Sequence, residues 1–303
     1  MTGGWTAQLP RIVTGRELDR GSAFDALTFS AASLAGPALA AVVAAGLGAR
    51  TAVLTAAALV VLAVPAACSL SRYPAVPGPV LATRRQMAAG FAAITARRPL
   101  LRATVTSAVS YAGIGMLLVC CPVLGAQRLG GPARGALLIS AMAVASLTAN
   151  AILVRRPGRG RPDVRPDGRI CASTLVMGAS MAAAAVAPGW LTLAAVALAG
   201  AGEGPQLTAL FAIRHRETPA RMRGQVYTTA ASLKIAGLAA GAALGGPLAG
   251  RSVTTCLLAA AAIELGAAAA GLLAGGHPRR RIGSAPRGTA RAGSGADRPG
   301  RSA

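Results

Sequence analysis

Eight long apolar stretches, separated by short segments rich in arginine, make up most of the chain. They cover residues 23–48, 51–69, 103–126, 133–154, 170–189, 190–213, 225–248 and 252–275. A hydrocarbon core about 30 Å thick is crossed by about 20 apolar residues in an α-helix, and each stretch is close to or above that length. The pattern predicts about eight transmembrane helices.

Helices are favoured over the strands of a membrane barrel because the stretches lack period-two alternation and are dominated by alanine and leucine. The first stretch is too long and too far from Met1 for a signal peptide, and it contains Asp25 and Pro37. The predicted fold class is an all-α polytopic membrane protein.

The composition supports this class. Of the 303 residues, 53% are hydrophobic and only 13% are charged, whereas a soluble domain carries about 25% charged residues. The net charge of +22 would suggest nucleic acid in a soluble protein. Here the basic residues fall in clusters between stretches of membrane length, so we expect a lipid bilayer as the environment and no nucleic-acid partner.

The sequence shows no constellation typical of an enzyme or of a bound cofactor. Its five cysteines lie in apolar stretches without metal-ligand spacing, so neither a disulfide framework nor a metal site is expected. The two histidines lie in polar segments without partners for metal or triad chemistry. A phosphate-binding GxxxxGK[ST] loop is missing as well, so we expect no use of ATP.

Arginine placement predicts the orientation, since loops rich in arginine stay in the cytoplasm. When the segments outside the eight stretches are assigned alternately to two sides, one side receives 26 arginines and the other receives four. Both termini fall on the side with 26 arginines. We therefore predict a multi-pass protein of the plasma membrane with both termini in the cytoplasm.

The same boundaries predict five regions along the chain. Residues 1–22 form a cytoplasmic segment, 23–69 two transmembrane helices, and 70–101 a cytoplasmic linker. Residues 102–276 form six helices, and 277–303 a disordered basic cytoplasmic tail. Within the linker, Met87, Phe91 and Ile94 recur at i, i+4 and i+7, which indicates either a short amphipathic helix on the membrane surface or a solvated linker.

Three segments carry a resemblance to a known family: residues 97–103 (RRPLLRA), 218–226 (TPARMRGQV) and 9–21 (LPRIVTGRELDRG). They resemble segments of transporters of the major facilitator superfamily, in particular its drug and siderophore exporters. Residues 97–103 (RRPLLRA) resemble the junction between the two halves of that fold. Residues 218–226 (TPARMRGQV) resemble the loop between its tenth and eleventh helices, and residues 9–21 (LPRIVTGRELDRG) the loop before its fifth. The resemblance implies helices five to twelve: the complete C-terminal six-helix half plus the last two helices of the N-terminal half.

Two features depart from that family. The first four helices are lacking, so we expect the chain to be truncated, as a fragment or through a misassigned start. The glycine–proline motif of the fifth helix is kept only in part, as Gly36 and Pro37 followed by two alanines. The resemblance implies transport of a small molecule by a secondary transporter, with efflux driven by proton exchange.

Ionisable residues inside transmembrane segments cost about 2.5–3.5 kcal/mol each at the helix centre, so each needs a reason. We predict a substrate and proton pathway that includes Glu203, Lys234, Gln206 and Asp25. Glu203 lies among glycines and next to a proline that weaken the helix, and as a buried carboxylate it could exchange protons. Alternatively, Lys234 extends to the interface, Glu203 marks a packing kink and is paired with Lys234 or solvated, and Asp25 caps its helix or pairs with Arg20.

Small residues near Lys234 predict close helix packing. Gly237, Gly241 and Gly245 form a ridge that lets another helix approach and turns this face toward the bundle. Gly36 and Pro37 are predicted packing positions in the first helix.

An isolated fourth charge, Glu264 in the last helix, is expected to lie away from the pathway.

The alternative function is a non-transporting membrane scaffold or partner subunit that assembles through glycine ridges.

Overall fold

The computed structural model describes residues 16–70, 83–131, 134–155 and 166–273. The described part is helical throughout and contains no strand. The predicted tail, residues 277–303, and most of the predicted N-terminal segment lie outside the described residues.

Nine α-helices make up most of the described residues. Their bounds are α1 Arg16–Leu47, α2 Ala49–Leu70, α3 Thr83–Thr95, α4 Arg98–Arg128, α5 Gly135–Arg155, α6 Pro166–Val186, α7 Leu191–Glu217, α8 Arg223–Arg251 and α9 Val253–Leu273. A single 3₁₀ turn, Ala220–Met222, joins α7 to α8. Gly48, with φ of 88°, forms the turn between α1 and α2, a conformation that favours glycine.

Five helices are long and apolar enough to cross a membrane, as expected of a multi-pass membrane protein. These are Arg98–Arg128, Gly135–Leu153, Pro166–Val186, Arg223–Arg251 and Val253–Gly271. The other three predicted spans fall on α1, α2 and α7. In α2 the apolar helix found is the shorter Arg50–Pro65, and α7 carries Glu203, Pro205 and Gln206 near its middle, which lower its mean hydropathy. The count of eight spans stays a prediction.

The core lies where α4, α6 and α9 meet α7 and α8. Leu117, Leu124, Met177, Met181 and Leu257 are fully enclosed there. Around this core the helix faces remain apolar on the outside: Leu54, Val61 and Leu62 of α2 are 61–70% exposed. Apolar side chains on the outer surface are what a lipid environment requires.

The glycine ridge of α8 packs against α4. A Cβ built on Gly237 would overlap the carbonyl oxygen of Ala108, and one built on Gly241 would overlap that of Ala112. Gly245 continues the ridge against Met116, whose Cα would lie 3.0 Å from an added Cβ. Only hydrogen side chains allow the two backbones to come this close.

Gly36 makes no comparable approach. A Cβ built on it would meet no described atom within 4 Å. The side chain of Pro37 lies outside the described part, so the predicted packing role of this pair stays a prediction.

The helix α3 covers the segment predicted to be either an amphipathic helix or a solvated linker. Its Ile94 is 2% exposed and packs with Leu100, Val226 and Ala230. Phe91 on the same helix is 43% exposed. A Cβ built on Gly90 would meet the hydroxyl of Thr229, so α3 docks directly on the start of α8.

Candidate functional site

A lysine, a tyrosine and a glutamate from three helices meet inside the bundle. The Tyr111 hydroxyl of α4 donates a hydrogen bond to Oε1 of Glu203 on α7 at 2.8 Å. Nζ of Lys234 on α8 lies 3.7 Å from the centroid of the same tyrosine ring. Tyr111 and Lys234 are 6% and 7% exposed. One tyrosine thus contacts the acid through its hydroxyl and the amine through its ring face.

Backbone packing explains how these side chains reach one another. Since Gly237 and Gly241 bring α8 against α4, Lys234, one turn earlier on α8, meets the ring of Tyr111. Glu203 is held by its glycine neighbours. A Cβ on Gly202 would lie 3.0 Å from the carbonyl oxygen of Ser173 on α6, and one on Gly204 would lie 2.7 Å from that of Ser146 on α5.

The predicted weak point in α7 does not interrupt the helix. α7 runs unbroken from Leu191 to Glu217 through Pro205. Packing of Gly202 and Gly204 against the neighbouring helices holds the segment in helical form, although proline removes one backbone donor.

Gln206 connects this site to a second acid. Its Nε2 donates to the Thr174 hydroxyl at 2.7 Å and to the Ser110 hydroxyl at 3.0 Å. The Ser110 hydroxyl in turn donates to Oε1 of Glu264 at 3.0 Å. Ser110 directly precedes Tyr111, so adjacent residues of α4 contact the half-buried Glu203 and the buried Glu264.

Glu264 is fully buried, with 0% exposure, and the small residues facing it make room for it. A Cβ on Gly113 would lie 2.9 Å from its Oε1, and one on Gly178 would lie 3.1 Å from its Cβ. Its sequence context predicts that this residue lies away from the pathway. The structure links it to Gln206 through a single hydroxyl.

The helix α1 contributes Asp25 and Phe29. Asp25 is 8% exposed and lies in the third turn of the helix, because α1 already begins at Arg16. It is therefore not at the helix start, where a cap would act. One turn further, the Phe29 ring lies 5.8 Å from Nζ of Lys234.

A separate set of hydrogen bonds ties α1 to α5 and α7. Nδ2 of Asn150 donates to the Ser30 hydroxyl at 3.0 Å, and the Thr208 hydroxyl donates to Oδ1 of Asn150 at 3.0 Å. The side chain of Asn150 is fully buried. Its amide therefore links three helices by hydrogen bonds. The sequence around Asn150 does not predict this role.

A basic and aromatic cluster lies beyond this network at the end of α7. The rings of His215 and Tyr227 stack with centroids 5.5 Å apart, and Cζ of Arg214 lies 5.9 Å from the Tyr227 centroid. Arg214 is 3% exposed. The predicted span ends at residue 213, which places Arg214 in a loop, but α7 continues to Glu217 and turns this arginine inward.

The network consists of oxygen and nitrogen groups suited to binding a polar ligand or moving a proton. Within the described ranges, no group of three or more His, Cys, Asp or Glu side chains could hold a metal ion. Buried acids and bases inside a helical membrane bundle carry a free-energy cost and typically mark a pathway or binding site.

Comparison with known proteins adds no identification. No family model matches the chain, and no curated protein matches it significantly.

Proposed function

We propose that the chain belongs to a major-facilitator-like secondary transporter that moves a small molecule across the plasma membrane, with efflux coupled to proton exchange. The observation that supports this function is the contact of the buried Lys234 and Tyr111 with the half-buried Glu203 across α8, α4 and α7. A structural bundle has no need of a lysine and a carboxylate at its interior, because apolar residues of the same size would cost less.

Protonation of Glu203 would change how its side chain interacts with Tyr111 and Lys234. As a carboxylate, Glu203 accepts the hydrogen bond from Tyr111 and attracts Lys234. As a neutral acid it attracts the ammonium less and can itself donate a hydrogen bond. The two protonation states therefore favour different distances between α7 and α8, which is the requirement for coupling a proton to alternating access.

The alternative function, a scaffold that assembles through glycine ridges, has less support. The ridge of Gly237, Gly241 and Gly245 is already covered by α4 of the same chain. It is therefore not available to a partner helix unless the bundle opens.

Everted membrane vesicles from cells that express the gene at its own locus provide the test. Respiration acidifies the vesicle interior, and a transported compound that exchanges with protons collapses the pH gradient, which an acridine dye reports. We expect at least one compound in a panel of organic acids, amines and neutral aromatic molecules to do so with the unchanged protein and not with Glu203→Gln.

Glu217→Gln is the matched control, since Glu217 ends the same helix and pairs with exposed Arg216 at 2.7 Å. It should retain the response. A compound response that survives Glu203→Gln, or no response across the panel, would contradict the proposal.

A further inference from the structure

Arg214 holds a free edge of its guanidinium inside the bundle. Within the described part of the chain, its Nε and Nη2 atoms are buried and have no hydrogen-bond partner. These two atoms lie on the same edge of the planar group, so their N–H bonds point in parallel. Such a fork matches the two oxygens of one carboxylate.

The ring of Tyr227 lies beside this guanidinium, with its centroid 5.9 Å from Cζ of Arg214. Its hydroxyl is also buried without a hydrogen-bond partner among the described residues. Arg223 and Asp25, an acid on α1, also act electrostatically on this tyrosine. The end of α7 and the start of α8 therefore hold three donors without a partner among the described residues, two on Arg214 and one on Tyr227.

Lys234 is the second buried cation of this interior. Among the described residues it forms no hydrogen bond or ion pair, and its ammonium faces the rings of Tyr111 and Phe29. It interacts electrostatically with Arg214 and with Glu203, but Oε1 of Glu203 already accepts the hydrogen bond from Tyr111.

Helix periodicity places these groups on one face of α7 and one face of α8, and we call the strip from Arg214 and Tyr227 to Glu203 and Lys234 the seam. Tyr227 and Lys234 are seven residues apart on α8, and Glu203 and Arg214 are eleven apart on α7, so each pair shares a helix face. The two helices run in opposite directions, which sets Arg214 beside Tyr227 at one end and Glu203 near Lys234 at the other. The pair on α8 spans about 10 Å, the length of a small organic molecule.

From this geometry we infer the substrate class: an organic acid with an apolar or aromatic body. Its carboxylate binds the Nε–Nη2 edge of Arg214 and the Tyr227 hydroxyl, and its body lies along the seam toward the rings of Tyr111 and Phe29. The inference rests on the proposed transport function, since it names what the same interior accepts. An anion at Arg214 would supply the partner that a buried cation requires.

Binding of benzoate to the purified full chain in phosphatidylcholine nanodiscs tests the inference, with benzyl alcohol as the neutral ligand of the same shape. We expect Arg214→Gln to raise the Kd for benzoate about thirtyfold or more, because one partner of a buried charged contact is lost. Arg214→Lys keeps the charge and loses the fork, so it should weaken benzoate binding by several-fold. Arg216→Gln, a change at an exposed arginine two residues away, should leave the Kd unchanged.

A stability measurement separates ligand binding from a structural role. Without ligand, Arg214→Gln should melt at the same or a higher temperature than the unchanged protein, because it removes a buried charge that has no ion-pair partner among the described residues. Benzoate should raise the melting temperature of the unchanged protein and not of the variant. If Arg214→Gln does not fold, Tyr227→Phe, which removes one donor, should still raise the Kd for benzoate several-fold.

Several results would overturn the inference. These are equal benzoate affinity in Arg214→Gln and the unchanged protein, or benzyl alcohol binding as tightly as benzoate. Stabilisation by phosphatidylglycerol, lost in Arg214→Gln and without benzoate binding, would assign the fork to a lipid headgroup instead.

The vesicle assay distinguishes this inference from the proposed function. Benzoate binding that depends on Arg214, without compound-driven proton flux, would contradict the proposed transport function but not the inferred binding of an organic acid. Proton flux driven only by amines or neutral compounds would contradict the inferred organic-acid substrate but not the proposed transport function.

Discussion

The Tyr111 hydroxyl and the Glu203 carboxylate lie 2.8 Å apart although they are 92 residues apart in sequence. Their hydrogen bond joins α4 to α7, and the Tyr111 ring faces the ammonium of Lys234 on α8. A movement of any one of the three helices would change the environment of both charges. This tyrosine is therefore the point at which helix movement and charge are most directly coupled.

Tyr111→Phe separates the two contacts, because it keeps the ring beneath Lys234 and removes the hydroxyl. We expect it to reduce the free energy of unfolding by about 1–3 kcal/mol, since Oε1 of Glu203 loses its donor inside the bundle. Tyr227→Phe is the matched control, because the Tyr227 hydroxyl has no hydrogen-bond partner in the described structure. Thermal unfolding in detergent, monitored by fluorescence, compares the two; equal losses would show that the bond to Glu203 contributes nothing.

Much of the fold follows from the sequence because membrane length and hydropathy are local properties. Each of the eight predicted stretches coincides with a described helix to within several residues, and α3 occupies the predicted amphipathic segment. The end of α7 differs from the predicted span end at residue 213. The cause is the composition of Arg214, His215 and Arg216, which by itself predicts a loop. Of these three, only Arg216 is exposed.

The site could be predicted only in part. Glu203, Lys234 and Gln206 are conspicuous because each is a polar side chain within an apolar stretch. Tyr111 and Ser110, which join them, carry no such signal, since tyrosine and serine are tolerated at many positions in membrane helices. Which hydroxyl meets which acid depends on how α4 packs against α7 and α9, and that packing is a long-range property of the fold.

Gly241→Ala tests the contact between α4 and α8. The added Cβ would overlap the carbonyl oxygen of Ala112, which is backbone and cannot rotate away. We expect a loss of about 1–3 kcal/mol in the free energy of unfolding from overpacking, and a weaker contact between Lys234 and Tyr111. Gly246→Ala, in open space on the same helix, should be neutral or slightly stabilising, because alanine favours the helix by about 1 kcal/mol over glycine. A matching loss in both variants would argue against a specific close approach.

Arg128→Ala tests a cap at the end of α6. The Arg128 guanidinium donates to the carbonyl oxygens of Ala184, Ala185 and Ala187 at 2.5–2.7 Å, and so satisfies groups that the helix end leaves unpaired. We expect the variant to lose about 1–3 kcal/mol of stability and to exchange amide hydrogens faster in the turn before α7. Arg251→Ala, at an exposed arginine that ends α8, is the control and should change neither. Unchanged exchange in Arg128→Ala would show that the turn holds without the cap.

Glu264→Gln asks whether the fully buried acid of α9 carries its charge in the resting protein. The amide oxygen can still accept the hydrogen bond from Ser110, and the amide nitrogen replaces Oε2, which has no hydrogen-bond partner among the described residues. If the carboxyl group is neutral in the bundle, the exchange is close to isosteric and the free energy of unfolding should change by less than about 1 kcal/mol. Glu264→Ala should instead lose about 2–5 kcal/mol, because it empties the space that Gly113 and Gly178 leave for the side chain. Chemical denaturation in detergent at neutral pH gives both values, with Glu217→Gln as a surface control. A loss in Glu264→Gln as large as that in Glu264→Ala would indicate that the ionised carboxylate is required, and that a cation in the bundle depends on it.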